Sequence, residues 1–413
     1  MMNTKKTLNP SRRFPIYHNE KGWKNYKLND IITVVNDKCS VANLCIETYI
    51  STENILPNYG GIKIASKLPT TGTFTRFKKG DVLFSNIRPY LKKVWWANFD
   101  GVASNDIIVF RALTGFDACF ISHIIKNDAF ITYSMKGAKG VKMPRGDKDM
   151  MLQYEVYVPN IEEQKEIAEC LSSIDSYRSS INEKVEQLKA HKKSLLQKLF
   201  PQRGQTVPEY RFPEFKTDED WITNKVGESF KLQGGFAFKS NKFIATGIPV
   251  IRISNIPSDS LVVNLQNCVF YEELPNMHNY TANDGDLLIA MSGATTGKTA
   301  IYRGKKPVYV NQRVGIFKLV DNSIYYPFIC QWIRTDHFAN QIKKMLAAGA
   351  QPNISSNDIE SLLWQHPQNM KEQMKIASCL STIDDLIDAY KNKLIYIEDY
   401  QKGLIQQLFP INS

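Results

Sequence analysis

No apolar run in this 413-residue sequence reaches the roughly 18–20 residues that a membrane-spanning helix needs. The basic N-terminus, MMNTKKTLNPSRRFP, lacks the apolar core of a secretory signal. None of the seven cysteines stands as CxxC, and the six histidines include no HxxxH pair. A disulfide framework and a zinc site are therefore not expected, and the cysteines read as reduced thiols of a cytoplasmic protein. Catalytic signatures are scarce as well. There is no Asp/Asn-Pro-Pro-Tyr/Phe motif, no glycine-rich cofactor loop after a first strand, no GxSxG elbow, no HExxH and no nuclease carboxylate–lysine cluster.

What the sequence has is positive charge. Lysine and arginine number 52 against 41 acidic residues, a net charge of +11 and a pI near 9.1. That excess favours a polyanionic partner, nucleic acid first and an anionic membrane surface second. A basic but otherwise ordinary soluble protein is the bland alternative. With 43% hydrophobic residues the chain can bury real cores, and its length suits two or three domains.

It also repeats itself. EQKEIAECLSSID begins at Glu163 and EQMKIASCLSTID at Glu372. Residues 160–201 align with 369–410 without a gap, with 17 of 42 positions identical, through to the closing LFP at Pro201 and Pro410. An earlier pair, RFPIYHNEKGW (13–23) and RFPEFKTDEDW (211–221), frames the same two stretches from the other side. Between the frames only fragments agree, such as KKGDVLFS (78–85) and NDGDLLIA (283–290). A repeated frame around divergent content suits two modules of one architecture with two recognition tasks.

The repeated segments carry a heptad seam. In the first it runs Ile167, Leu171, Ile174, Ile181, Val185, Leu188, Leu195 and Leu199, with Arg178 and Lys192 at the skipped positions. In the second it runs Ile376, Leu380, Ile383, Ile387, Tyr390, Leu394, Ile397, Leu404 and Leu408, with Gln401 as the polar exception. Neither has an interior proline, so each predicts one helix of about ten turns ended by Pro201 or Pro410. Each seam needs a partner. The other helix, antiparallel about a pseudo-twofold axis, is the obvious one. Packing on its own domain, or self-association, is the alternative.

Residues 24–158 and 223–366 read as mixed α/β domains, with short β-rich runs such as DVLFS, DIIVFRA, IPVIRIS, DLLIAM and GIFKLV between turn signals. One helix is expected over Tyr325–Leu346, and the first insert shows a similar order around 117–135. The charge concentrates here, at +8 over residues 60–150 and +4 over 225–365. Cations stand beside aromatics in RPYLKKVWW (88–96) and GGFAFKS (234–240). Phosphate neutralisation needs Lys and Arg, and base reading needs Arg, Asn, Gln or Ser at groove depth. The candidate DNA contacts are Arg88, Lys92, Lys93, Lys142 and Arg145 in the first insert, and Lys239, Arg252, Lys298 and Arg313 in the second. SGATTGKTA (292–300) only imitates a P-loop. Gly293 stands one position too close to Gly297, and AIYRG after it reads as strand. A Gly/Thr loop facing phosphate, or a tight hairpin, are its remaining readings.

The arrangement resembles the specificity subunit of type I restriction–modification enzymes. The likeness rests on VPNIEEQKEIAECLSSID (158–175), HPQNMKEQMKIASCLSTID (366–384), both LFP ends, GGFAFKSNKFIATGIPVIRISNI (234–256), GDLLIAMSGATTGK (285–298) and GAQPNISSNDI (349–359). The first insert's GVKMPRGDKDMM (140–151) departs from the last of these, as a domain with a different target half would.

The resemblance implies a mixed α/β fold with two pseudo-twofold-related target recognition domains, at 24–158 and 223–366, separated by two long antiparallel coiled-coil helices at 159–201 and 367–410. An N-terminal arm (1–23), a linker (202–222) and a tail (411–413) complete it. Each recognition domain then reads one half of a bipartite double-stranded DNA site. The helices set the gap and dock two methylation subunits, with Glu163, Gln164, Glu372 and Gln373 expected on the faces shown to them. Motor–nuclease subunits join in the full complex. S-adenosylmethionine, ATP and magnesium belong to those partners, and this chain has no catalytic or metal residues of its own. Two competing readings remain: a coiled-coil scaffold that binds DNA without sequence preference, and a standalone nuclease or ATPase.

Overall fold

The computed structural model describes residues 7–257, 260–348 and 353–410. The first six residues of the expected arm, the tail 411–413 and the opening 349–352 of GAQPNISSNDI lie outside the described residues. The chain divides into two compact units. Unit 1 comprises residues 1–182 and 392–413, and unit 2 comprises 183–391.

Both units are built on the same plan. In unit 1 a four-stranded antiparallel sheet runs in the order Ile32–Val34, Ile107–Ala112, Val82–Ser85, Val94–Trp96. In unit 2 the order is Phe230–Gly234, Val314–Leu319, Leu287–Ala290, Thr299–Ile301. The strands read in the sequence as DVLFS and DLLIAM are inner ones, and all four residues of each are buried. Their alternation explains why. Val82 and Phe84 face a core shared with helices, while Leu83 faces a second core. Leu287 and Ile289 face the helices of unit 2, and Leu288 and Ala290 face its second core. The second cores lie beneath a further four-stranded sheet in each unit. Its order is Lys38–Ser40, Thr73–Phe77, Gly101–Ala103, Tyr49–Ile50 in unit 1. In unit 2 it is Val269–Tyr271, Ile248–Ile251, Val308–Val310, Thr281–Ala282.

The helices of unit 1 are α1 (Ala118–Ile125), α2 (Asp128–Lys136), α3 (Lys148–Leu152) and the first half of α4 (Ile161–Leu199). Unit 2 has α5 (Val226–Ser229), α6 (Tyr326–Trp332), α7 (Asp336–Ala348), α8 (Ser356–Glu360) and the first half of α9 (Met370–Leu408), and each unit also takes the second half of the other's long helix. The single helix expected over 325–346 is two helices. Thr335 is the reason: its hydroxyl accepts from Phe338 N at 3.4 Å and starts a new helix. Asn127 does the same between α1 and α2, accepting from Ala129 N at 2.9 Å.

α4 and α9 are each one unbroken 39-residue helix, about 58 Å long at 1.5 Å per residue. Every seam position is buried or half-buried. Within unit 2, Lys192 of α4 meets Asp384 of α9, while Leu196 and Leu199 share a core with Ile376 and Leu380. Within unit 1, Asp175 of α4 meets Gln401 of α9, while Ile167 and Leu171 share a core with Leu404 and Leu408. In both, residue numbers rise on one helix as they fall on the other, so the helices pair antiparallel. Among the described residues no helix is long and apolar enough to cross a membrane.

Candidate nucleic-acid interface

The repeated Glu-Gln pairs are buried, and this corrects the expectation that they face a partner. Glu163, Gln164, Glu372 and Gln373 are at most 2% exposed. The Arg13 guanidinium grips Glu163 with two hydrogen bonds of 2.8 and 2.7 Å, and Trp23 Nε1 adds a third at 3.1 Å. In unit 2 Arg211 grips Glu372 at 2.8 and 2.8 Å, and Trp221 Nε1 donates at 3.4 Å. The hydrogen bond to the carboxylate, working against burial, raises both guanidinium pKa values further. Each Gln ties the helix start to the recognition fold. Gln164 Oε1 accepts from Asp117 N at 2.9 Å, and Gln373 Oε1 accepts from Tyr325 N at 2.8 Å. The arginine and tryptophan of RFP…W and the glutamate of the helix motif thus repeat together because they are one clamp.

A second polar group interrupts each seam. Asp384 accepts from Lys192 at 2.5 and 2.6 Å, from Gln331 Nε2 at 3.3 Å, and from Arg334. Burial, and then the Arg334 charge, push the Lys192 ammonium down to about 8 against the pull of Asp384. The equivalent carboxylate of unit 1, Asp175, accepts from Gln401 Nε2 at 2.9 Å and pairs with Lys126 at 3.5 Å and Arg178 at 3.6 Å. Burial works to raise its pKa, but Lys126, Gln401, His123 and Arg178 outweigh it and leave it lowered. Beside it His123 is pushed down to about 3, by burial first and Lys126 second.

The candidate DNA contacts gather where three loops meet at one end of each inner sheet. In unit 1, Asn86 N donates to Asp106 O at 2.9 Å and Gly146 N to Asn86 O at 3.3 Å. Arg88 N donates to Pro144 O at 2.8 Å, and Arg88 Nη2 to Lys142 O at 3.4 Å. Arg88, Lys142 and Arg145, distant in sequence, are brought together here. Lys142 and Arg145 are exposed, and Arg145 pairs with Asp106 at 2.8 Å. Arg88 takes φ 51°, a left-handed conformation uncommon outside glycine. The Asn86 Oδ1, Arg88 Nε and Ser104 Oγ atoms here have no hydrogen-bond partner among the described residues. Lys92 and Lys93 are engaged elsewhere. Lys92 pairs with Asp128 at 2.6 Å, and Lys93 donates to Thr52 O at 2.6 Å, its pKa lowered by burial. Both ammonium groups are thus spent on contacts within unit 1.

The same junction recurs in unit 2. Met291 N donates to Arg313 O at 2.9 Å, Ile354 N to Met291 O at 2.9 Å, and Ser292 bridges Asn353. Arg313 Nη1 donates to Ser292 Oγ at 3.2 Å, and Thr295 Oγ1 to Ile253 O at 3.1 Å, which brings Arg252 alongside. Lys298, exposed, closes the same loop, its N–H donating to Thr295 O at 2.9 Å. These bonds gather Arg252, Lys298 and Arg313; Lys239 stands outside them, exposed on the turn after Phe238. SGATTG holds one 3-10 turn, Gly293–Thr295, and leads into the Thr299–Ile301 strand, where a P-loop would lead into an α-helix. Gly297 has φ +80°, and a Cβ there would stand 2.4 Å from Ile342 of α7. Where unit 1 puts Asp106, unit 2 puts Arg313. Asn86, Ser104 and Asp106 carry no basic or aromatic signal that would single them out in the sequence. Their place beside Arg88 and Arg145 shows only once the loops meet.

A family model, the type I restriction modification DNA specificity domain, matches residues 20–190 and 218–399. The specificity subunit of the type I restriction enzyme MjaVIII from Methanocaldococcus jannaschii is 26% identical over 297 residues, covering 69% of this chain and 70% of that protein. The EcoAI specificity subunit of Escherichia coli is 29% identical over 190 residues, covering 44% of this chain and 31% of that protein. Among solved structures, the S subunit of a type I restriction–modification system from M. genitalium matches with a TM-score of 0.67 at 16% identity. It covers 98% of this chain and 100% of that one, a likeness of fold.

Proposed function

This chain belongs to the type I restriction modification DNA specificity family, and from that premise we propose that it is the sequence-reading subunit of a methylation and restriction complex. Residues 24–158 and 223–366 serve as its two target recognition domains, each reading one half of a bipartite DNA site. The long helices at 159–201 and 367–410 set the gap between halves and carry two methylation subunits. Chemistry at adenine N6 belongs to those partners, which use S-adenosylmethionine. Cutting belongs to motor–nuclease subunits, which use ATP and magnesium. The complex works in the cytoplasm.

One observation carries the reading: the same three-loop junction occurs in both units with unlike side chains. Asp106 in one stands where Arg313 stands in the other. Identical backbone supports with different donors and acceptors suit two different base sequences. A scaffold indifferent to sequence would have no use for the difference. The test is genome-wide mapping of N6-methyladenine in cells with and without this chain. A split motif that appears only in its presence is the expected result. Methylation unchanged by the chain would overturn the proposal.

A further inference from the structure

Outside the loop junctions, a cationic cleft of unit 2 lies between the end of α4 and α7, with a volume of about 570 Å³. Lys193, Arg203, Lys343 and Lys344 line it, all four exposed. None of the four has an ion-pair partner among the described residues. Among the described residues the only carboxylate on its wall is Asp336, which accepts from Gln197 at 3.3 Å. Burial, with Lys344 second, holds His337 below the usual imidazole range, so it stays neutral rather than adding charge.

The fold does not require this charge. The corresponding place in unit 1, between α1–α2 and the end of α9, is divided between two clefts of about 550 and 420 Å³. Among the described residues the first has Lys136 and Glu155 as its charged lining, and the second sets four cations, among them Lys402 at the repeat position of Lys193, against four carboxylates, so neither carries an excess of positive charge. Four unpaired cations held side by side cost repulsion in the free protein, which a polyanion would relieve. α7 also joins the cleft to the loop junction, since Ile342 on α7 abuts Gly297 one residue before Lys298.

We propose that this cleft binds the DNA phosphate backbone beside the half-site read by unit 2, without regard to sequence, and that unit 1 has no equivalent. The inference rests on the DNA-reading function proposed above and adds an asymmetry to it. DNA is favoured over an acidic protein segment because the cleft continues from the loop junction along one helix.

The experiment uses the full chain and a fluorescein-labelled mixed-sequence duplex, titrated by anisotropy between roughly 50 and 200 mM salt. The variant K193Q/R203Q/K343Q/K344Q should lower the slope of log affinity against log salt by up to about 3.6, at roughly 0.9 for each phosphate no longer neutralised. The pair K343Q/K344Q should lower it by about half as much, which guards against a folding defect in the fourfold variant. The methylated motif in cells should stay the same. A slope unchanged in both variants, while the wild type binds, overturns the cleft proposal alone. Unchanged DNA binding with loss of co-purifying partner subunits also overturns it and assigns the cleft to an acidic protein surface. Absence of DNA binding by the wild type overturns the recognition reading and this one together.

Discussion

Lys192 Nζ donates to both carboxylate oxygens of Asp384, at 2.5 and 2.6 Å, and the repeat puts Gln401 and Asp175 in the same relation in the other unit. One aspartate position and one facing position therefore serve both seams, with an ammonium in one and a neutral amide in the other. Gln401 shows that this facing position need not carry a charge, since Asp175 takes its cations from Lys126 and Arg178 instead. The charged pair takes an ammonium out of water beside a second cation, Arg334, and this lowers its pKa to about 8.

The pH dependence follows. Between pH 8 and about 10.5 the unfolded chain holds a proton on Lys192 that the folded chain has lost. Folding should therefore gain stability as pH rises through that window, and the contribution should be absent below pH 8. Lys192→Gln, the residue the other unit uses, should melt within about 1 kcal/mol of the wild type or above it at pH 7, since Asp384 keeps Arg334. It should also flatten the rise. Thermal melts from pH 7 to 10.5 check both. A variant several degrees less stable at pH 7 would show that the ion pair is net stabilising.

The Arg–Glu clamps should behave in the opposite way. Glu372→Gln leaves the Arg211 guanidinium buried without its counter-charge, and breaking a buried pair from one side costs about 3–5 kcal/mol. Glu163→Gln should do the same to Arg13. Hydrogen exchange resolved by segment should place each loss in its own unit. Loss of partner binding with unchanged stability would instead restore the surface role that the sequence suggests for these glutamates.

The duplicated frame is legible in the sequence because identity survives where a side chain has one irreplaceable partner. Arg13, Trp23 and Glu163 recur as Arg211, Trp221 and Glu372, and the heptad seams recur because apolar spacing is a local property. The function of the Glu-Gln pair is not legible, since charge alone suggests a surface. Only the fold brings an arginine 150 residues away onto Glu163. The same limit applies to the DNA contacts. Arg88 and Arg145 can be chosen by type, but Lys92 and Lys93 are cations of the same stretch and are engaged by Asp128 and Thr52.

The loop junctions predict which substitutions change the sequence read. Arg145→Ala should alter recognition at the half-site of unit 1 only, and Arg313→Ala at that of unit 2 only. Removing a hydrogen bond to a base edge should relax one position by about 1–3 kcal/mol. Removing a bond to phosphate should weaken all sequences alike and lower the salt slope by about 1. Competition binding against a library of single-base variants separates the two. Lys93→Ala should change neither and should lower stability instead. If Arg145→Ala and Arg313→Ala both leave recognition intact, the junctions are not the reading surfaces.

The helices predict the gap. Exchanging Tyr26–Tyr157 for the equivalent insert of a relative should change one half-sequence and leave the other half and the gap alone. Lengthening both α4 and α9 by one heptad should do the reverse. Seven residues keep the apolar seam in register and add about 10 Å. At two phosphates per 3.4 Å of duplex, that is roughly three base pairs. The duplex also rotates over this distance, so affinity should fall. Any site still methylated should keep both half-sequences with a wider gap, which methylome sequencing reads directly. A heptad insertion that changes the bases read while the gap stays fixed would mean that the helices only hold the units in place and measure nothing.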